Sequence, residues 1–296
     1  MASSLFLLSM ADNHPVTDTL LNVSEHSRDS TGMSYVYPVV SRRAGGVSVG
    51  INLNPNNACN WRCIYCQVPD LSRGGPPPLD AALLQRELTS LLDDILDGDF
   101  LQRRVPASSR KLMDVAFSGN GEPTSAPEFA QAVQIVLAIL QSRGLQGQLP
   151  VRLITNGSLL DRENVQAGIA AMGRAGGEVW FKVDGGRDED FQRVNSTRVV
   201  PAQQLARLKV CASLCPTWVQ SCFFAMDGEP PSDDSINAYL DFLTSAGSGL
   251  RGVHLYGLAR PSLQVEAARL SPLPLSWFEV LAGRLKEKGL MVTINP

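Results

Sequence analysis

From residue 47 to the end, the chain alternates short apolar runs with longer segments of helical period, and this constrains the fold most. The runs read VSVGINL, KLMDVAFSG, LPVRLITNG, EVWFKVDGG, TWVQSCFFAM, RGVHLYGL and GLMVTINP. Between them lie LDAALLQRELTSLLDDIL, APEFAQAVQIVLAILQSRG, DRENVQAGIAAMGRAGG, AQQLARLKVCASLC, SINAYLDFLTSAG and LSWFEVLAGRLKEKG. Several of these space their apolar residues by three and four, as an amphipathic helix does. Strand and helix in strict alternation imply parallel strands joined by crossover helices. The runs are mostly continuously apolar, which predicts strands buried on both faces. The expected fold class is α/β: a partial (β/α)6-type, TIM-like barrel with outer helices, spanning 34–296. A chain of 296 residues suits one such unit. Residues 1–33 are rich in Ser, Asp, Asn and Thr without a sustained period. They are expected to be a poorly ordered leader, with Met10 and Met33 as later candidate starts.

Parallel barrels bind ligands at the loops that follow the C-terminal strand ends. Those loops are NPNNACNWRCIYCQVP, SGNGEPTSAPE, TNGSLL, KVDGGRDED, AMDGEPPSDD and YGLARPS, so most of the Cys, Gly-rich and charged motifs fall on one rim. The first holds Cys59, Cys63 and Cys66, spaced C-x3-C-x2-C. A structural zinc site closes a tetrahedron with four Cys or His ligands. The chain has three histidines, His14, His26 and His254, and none has ligand spacing to this loop. A ferredoxin-type cluster would show a fourth nearby cysteine, which the loop lacks. A 4Fe–4S cluster with one iron left open to a small molecule fits best; zinc and plain reduced thiols are the alternatives.

CNWRCIYC, with Tyr65 just before the last cysteine, resembles the signature of the radical S-adenosylmethionine (SAM) superfamily. The resemblance covers roughly residues 40–296. It implies that Cys59, Cys63 and Cys66 hold a 4Fe–4S cluster and that the amine and carboxylate of SAM chelate the fourth iron. It further implies that an electron from an external donor, such as flavodoxin or ferredoxin, cleaves SAM to a 5′-deoxyadenosyl radical that abstracts hydrogen from a substrate. SGNGEPT resembles the family's Gly-Gly-Glu element, so Gly119, Asn120, Gly121 and Glu122 are expected around the methionyl amine. By the same resemblance Asn156 is expected at the ribose or carboxylate, Lys182 at the SAM carboxylate, Asp184 at the ribose or substrate, and Tyr256 and Gly257 at adenine. Each has a plainer reading: a Gly-Pro turn, a helix cap, a salt bridge, a strand-end turn. Within the superfamily the pattern is nearest to the wyosine-type tRNA-modifying enzymes, on SRRAGGVSVGINL, SGNGEPT and YGLARPS. It departs from them in its slightly acidic balance and in having neither a second cysteine cluster in the leader nor a flavodoxin-like domain. A cluster-binding electron-transfer protein is the other alternative, although electron transfer needs no glycine-rich rim.

The charge, 26 − 29 = −3, predicts no strong sequence-independent binding to nucleic acid. No apolar run reaches about 18 residues, the length of a membrane-spanning helix. The opening MASSLFLLSM lacks a preceding Lys or Arg, so a signal peptide is not expected. Six cysteines, three in one loop, point to a reducing cytoplasm rather than a disulfide framework. Cys211, Cys215 and Cys222 are expected as buried core residues, with an auxiliary cluster as the alternative. Arg42 and Arg43 in SRR, and Arg260 on the rim, fit an anionic substrate without identifying one.

Overall fold

The computed structural model describes residues 20–22, 31–41 and 44–296. The leader expected over 1–33 lies largely outside the described residues, as do Arg42 and Arg43. One eight-stranded sheet organises the rest: β1 Val36–Ser41, β2 Gly46–Ile51, β3 Leu112–Phe117, β4 Val151–Thr155, β5 Glu178–Lys182, β6 Thr217–Cys222, β7 Leu250–Tyr256 and β8 Val292–Asn295, side by side in chain order. β1 pairs antiparallel with β2, and β2 through β8 are all parallel. The sheet curls into an open half-barrel whose edge strands β1 and β8 do not pair. Helices α1 Ala81–Leu96, α2 Phe129–Ser142, α3 Glu163–Arg174, α4 Asp188–Asn195, α5 Pro201–Leu214, α6 Asp233–Ala246 and α7 Leu275–Glu287 fill the crossovers.

All seven expected strands form. β1 is added by the hairpin into β2, and it carries Pro38, a residue that sheets tolerate at an edge. The expectation that both faces of the strands are apolar is corrected. Val47, Val49, Ile51, Val115, Phe117, Leu153, Val179, Phe181, Val219, Val253 and Leu255 point outward into one core with the helices. Their alternates Ser48, Asp114, Arg152, Lys182, Gln220 and Tyr256 point inward and line a cavity. A strand turns successive side chains to opposite faces, so runs that look uniformly apolar still place a polar residue inward at each second position. Among the described residues no helix is long and apolar enough to cross a membrane.

Candidate functional site

The cavity measures about 680 Å³ and opens at the C-terminal strand ends. Pockets of roughly 300–1,000 Å³ take drug-sized ligands, so it has room for a nucleoside-sized molecule and more. Cys59, Cys63 and Cys66 line it together with Tyr65, Gly119, Asn120, Gly121, Glu122, Asn156, Lys182, Tyr256 and Gly257. Of the predicted site residues only Asp184 is absent from its wall.

The cysteine loop follows β2 and is fastened on several sides. Ala58–Cys59 pairs with Ser72–Arg73 across the loop. The Ser262 hydroxyl donates to the Ile64 carbonyl at 2.7 Å and Leu263 N–H to the Cys66 carbonyl at 2.9 Å. Arg62 grips Glu266 with two hydrogen bonds of 2.9 and 2.5 Å. All six cysteines are free thiols. Burial pushes the Cys59 thiol up to about 11 and the Cys63 thiol up to about 12. Each sulfur also accepts an N–H: Trp61 N to Cys59 at 3.4 Å and Asn195 Nδ2 to Cys63 at 3.2 Å. Such donors favour the thiolate once a metal displaces the proton. Among the described residues no three His, Cys, Asp or Glu side chains converge on a position for a single metal ion. The thiolates of a cubane attach to different irons and need no such convergence. Three half-buried thiols on one cavity wall therefore fit a 4Fe–4S cluster better than zinc.

The glycine-rich loop after β3 packs directly on the cysteine loop. A Cβ on Gly121 would lie 2.1 Å from the Ala58 carbonyl oxygen, and one on Gly119, whose φ is +140°, 2.4 Å from Asn52 Oδ1. Only glycine allows that approach. Asn52 Oδ1 accepts from Asn54 N at 3.1 Å and Asn120 N at 3.0 Å, locking the two loops together. Glu122 is 3% exposed. Its Oε1 accepts from Thr124 N, Thr124 Oγ1 and Thr155 Oγ1 at 3.1, 2.6 and 2.6 Å, and Oε2 from Asn156 N at 2.7 Å. Burial pushes its pKa up, and these four donors pull it back without cancelling the effect. Glu122 thus ties the glycine loop to the end of β4. Asn156 accepts from Ser158 N and Oγ through Oδ1 and donates to Asn60 Oδ1 at 2.9 Å, so its side chain shapes the turn after β4.

Lys182 closes the opposite wall. Its ammonium donates to the Tyr256 hydroxyl at 3.1 Å and stands 4.8 Å over the Tyr65 ring. Burial alone would lower its pKa, but Tyr256 and Asp184 outweigh that and hold the lysine charged, its pKa well above the usual value. The sequence places Lys182 and Asp184 on one strand face. β5 ends at Lys182, however, and the turn beyond it carries Asp184 behind Tyr65. There Asp184 accepts from Tyr65 Oη at 2.5 Å, Asn195 Nδ2 at 2.8 Å and Cys222 N at 2.9 Å. It holds Tyr65 and Asn195 in place and presents no oxygen to the main cavity.

Sequence reasoning missed Asn52, Asn54, Asn60 and Asn195, which brace the cysteine loop. The Asn-rich NLNPNN run, residues 52–57, was the available signal for the first two. It also missed the inward residues Ser48, Asp114, Arg152 and Gln220, which only the pleat reveals.

Cys211 and Cys215 are buried at the far end of the barrel, where the Cys215 thiol donates to the Gly177 carbonyl at 3.4 Å. Cys222 sits at the opposite end of β6, about 20 Å away at 3.3 Å per residue. A shared auxiliary cluster is therefore ruled out by distance. Replacing Cys211 and Cys215 with Ala should leave iron content unchanged while lowering stability by about 1 kcal/mol or more each, through cavities in the core. Iron analysis beside denaturant melts checks this, and loss of iron would contradict the burial.

Residues 53–243, well over half of the 296, match the Radical SAM superfamily. The chain belongs to that superfamily. It is 29% identical over 159 residues to a UPF0026 protein of Methanocaldococcus jannaschii, covering 53% of this chain and 42% of that protein. A UPF0026 protein of Helicobacter pylori is 27% identical over 130 residues, covering 44% and 36%. The chain thus spans less than half the length of these curated relatives. Among solved structures, a radical SAM methyltransferase from Sphaerobacter thermophilus superposes with a TM-score of 0.57 at 13% identity, covering 88% of this chain and 68% of that one. Native anSMEcpe with bound AdoMet and Cp18Cys peptide superposes with a TM-score of 0.51 at 15% identity, covering 83% and 62%. At such identities the likeness shows the half-barrel fold. Superfamily members use a 4Fe–4S cluster and SAM, the two groups that the cavity fits. The matches lend no support to a wyosine-type assignment.

Proposed function

We propose that this chain is a radical SAM enzyme that cleaves SAM reductively and directs the resulting radical at a substrate in the barrel. The observation that carries it is the convergence of three cysteines, a glycine-rich loop and a buried lysine on one cavity. When bound, the cluster supplies the electron that splits SAM into methionine and a hydrogen-abstracting 5′-deoxyadenosyl radical. This chain's residues do the rest. Cys59, Cys63 and Cys66 hold the cluster. The loop of Gly119, Asn120 and Gly121, packed on the cysteine loop because 119 and 121 carry no Cβ, would offer its backbone to the methionyl amine, and Glu122, which fixes that loop, keeps on Oε2 the capacity to accept from the same amine beside its one protein donor. Lys182 is a buried cation suited to a carboxylate, and Tyr256 and Asp184 keep it charged. Asn156 holds the β4 turn beside the ribose, and the backbone at Tyr256 and Gly257 serves adenine. An external one-electron donor of flavodoxin or ferredoxin type supplies the reductant.

The test is chromatographic detection of 5′-deoxyadenosine after dithionite reduction of the reconstituted protein with SAM. The expected result is slow formation even without the true substrate. A full, reducible cluster with neither SAM binding nor 5′-deoxyadenosine would leave an electron-transfer protein instead.

A further inference from the structure

Cys63 sits on the C-terminal end of α4. The residues on both sides of it cap that helix: Ile64 N–H donates to the Val194 carbonyl at 2.9 Å, and Arg62 N–H to the Asn195 carbonyl at 3.2 Å. A helix leaves its last carbonyls without donors of its own, and here the cysteine loop supplies two of them. Arg73, from the far side of the loop, donates to the Ser196 carbonyl, where the chain leaves the helix with a φ of +50°. The Trp61 ring meets Phe191 of the same helix edge-on at 6.3 Å. The end of α4 is thus docked on the loop by backbone, side chain and ring contacts together.

Asn195, the last residue of α4, is fully buried. Its Nδ2 donates to Cys63 Sγ at 3.2 Å and to Asp184 Oδ2 at 2.8 Å. Those two acceptors fix the amide, because turning it over would aim Oδ1 at a carboxylate and a sulfur. Asp184 is itself held by Tyr65 Oη at 2.5 Å and Cys222 N at 2.9 Å. The Asn195 Oδ1 is left buried without a hydrogen-bond partner among the described residues. A buried acceptor left unmade costs about 1–3 kcal/mol, a cost that a leucine of similar shape would not carry. Both N–H groups are committed, one of them to a cluster thiol. Cys59 takes its N–H from the Trp61 backbone, whereas the donor to Cys63 is a side chain that substitution can remove.

We propose that Asn195 is a positioning residue that sets the reduction potential of the cluster by donating an N–H to the Cys63 sulfur. The assignment rests on the radical SAM reading above. Hydrogen bonds to the sulfurs are among the factors that set cluster potentials, and partners behind a metal ligand tune the metal through it. The reduced cluster carries one more negative charge than the oxidised one, so it gains more from the donor and the potential rises. Asp184 holds the amide in its donating orientation, and the capped end of α4 keeps it at Cys63.

The test is a redox titration of the anaerobically reconstituted protein, with the reduced cluster followed by electron paramagnetic resonance, in wild type, Asn195→Leu and Asn195→Val. Both variants lack the donor, and they differ in size. The potential should fall in each variant that holds a full cluster. At the wild-type midpoint the ratio of reduced to oxidised cluster should drop about tenfold, about 59 mV for one electron. A merely structural asparagine would instead lower the melting temperature, more in the smaller variant, and leave the potential where it was. A full cluster at an unchanged or raised potential in either variant would overturn the assignment. So would failure of both variants to take up a cluster, since Asn195 would then be needed to build the site rather than to tune it. Cluster content and 5′-deoxyadenosine formation of the wild type are measured on the same preparation. Absence of either fails the radical SAM reading itself, whereas their presence with an unshifted potential in the variants fails only the role of Asn195.

Discussion

Replacing Cys59, Cys63 and Cys66 with Ala, singly or together, should empty the protein of its cluster. About four irons and four sulfides per chain should fall to background, and 5′-deoxyadenosine formation should vanish with them. The effect is all-or-none because, among the described residues, no other thiol or imidazole stands ready to substitute. Cys222 lines the same cavity but sits behind Lys182 and Tyr65 at the end of β6, and Cys211 and Cys215 lie at the other end of the barrel. The fold should survive the loss, since the thiols project from a loop that is held by its own backbone pairings and by the Ser262 and Leu263 contacts. Far-UV circular dichroism with iron and sulfide analysis separates the two effects. There is also a pH signature. With the Cys59 and Cys63 thiols pushed up to about 11 and about 12, both are protonated at neutral pH before the cluster binds. Cluster uptake must displace those protons, so reconstitution should strengthen as pH rises. Retained iron in any single variant, with activity, would remove that cysteine from the ligand set.

The second large effect belongs to Glu122. Replacement by Ala strips four donors of their shared acceptor inside a buried junction: the Thr124 and Asn156 N–H groups and the Thr124 and Thr155 hydroxyls. Removing one partner from a buried charged network costs about 3–5 kcal/mol. Glu122→Gln keeps the shape and one acceptor oxygen, but it turns an NH2 toward donors. It should lose about 1.5–3 kcal/mol, the worth of a hydrogen bond to a charged group. SAM affinity in the Gln variant should fall ten- to a hundredfold, about 1.4 kcal/mol per factor of ten, with the cluster intact. Urea melts measure the first effect and SAM titration the second. A Gln variant with normal stability and weakened SAM binding would make Glu122 purely a ligand contact. One with lost stability and unaltered affinity would make it purely a strut.

The parts of this protein legible in sequence are those set by local rules. Alternating apolar runs and helical periods dictate parallel strands with outer helices, because burial of one helical stripe against a sheet is available only in that order. The cysteine spacing, the glycines at 119 and 121 and the loop order put the site on one rim before any coordinate was known. Distant contacts were not legible. Lys182 and Asp184, two apart in sequence, look like a pair on one face, yet the strand ends between them and they serve different spaces. Glu122 reads as a free carboxylate in a turn and is held by four donors, two of which come from β4 and the residue after it. The inward polar residues Asp114, Arg152 and Gln220 are written in three strands more than thirty residues apart, each hidden in an apolar run. Sequence by itself thus determined the elements, their order and the rim on which the three cysteines lie, since these depend on propensity, period and chemical identity along a short stretch. Only the tertiary structure decided which side chains share the cavity and which carboxylates are already committed, because curling the sheet brings together groups that the chain keeps far apart.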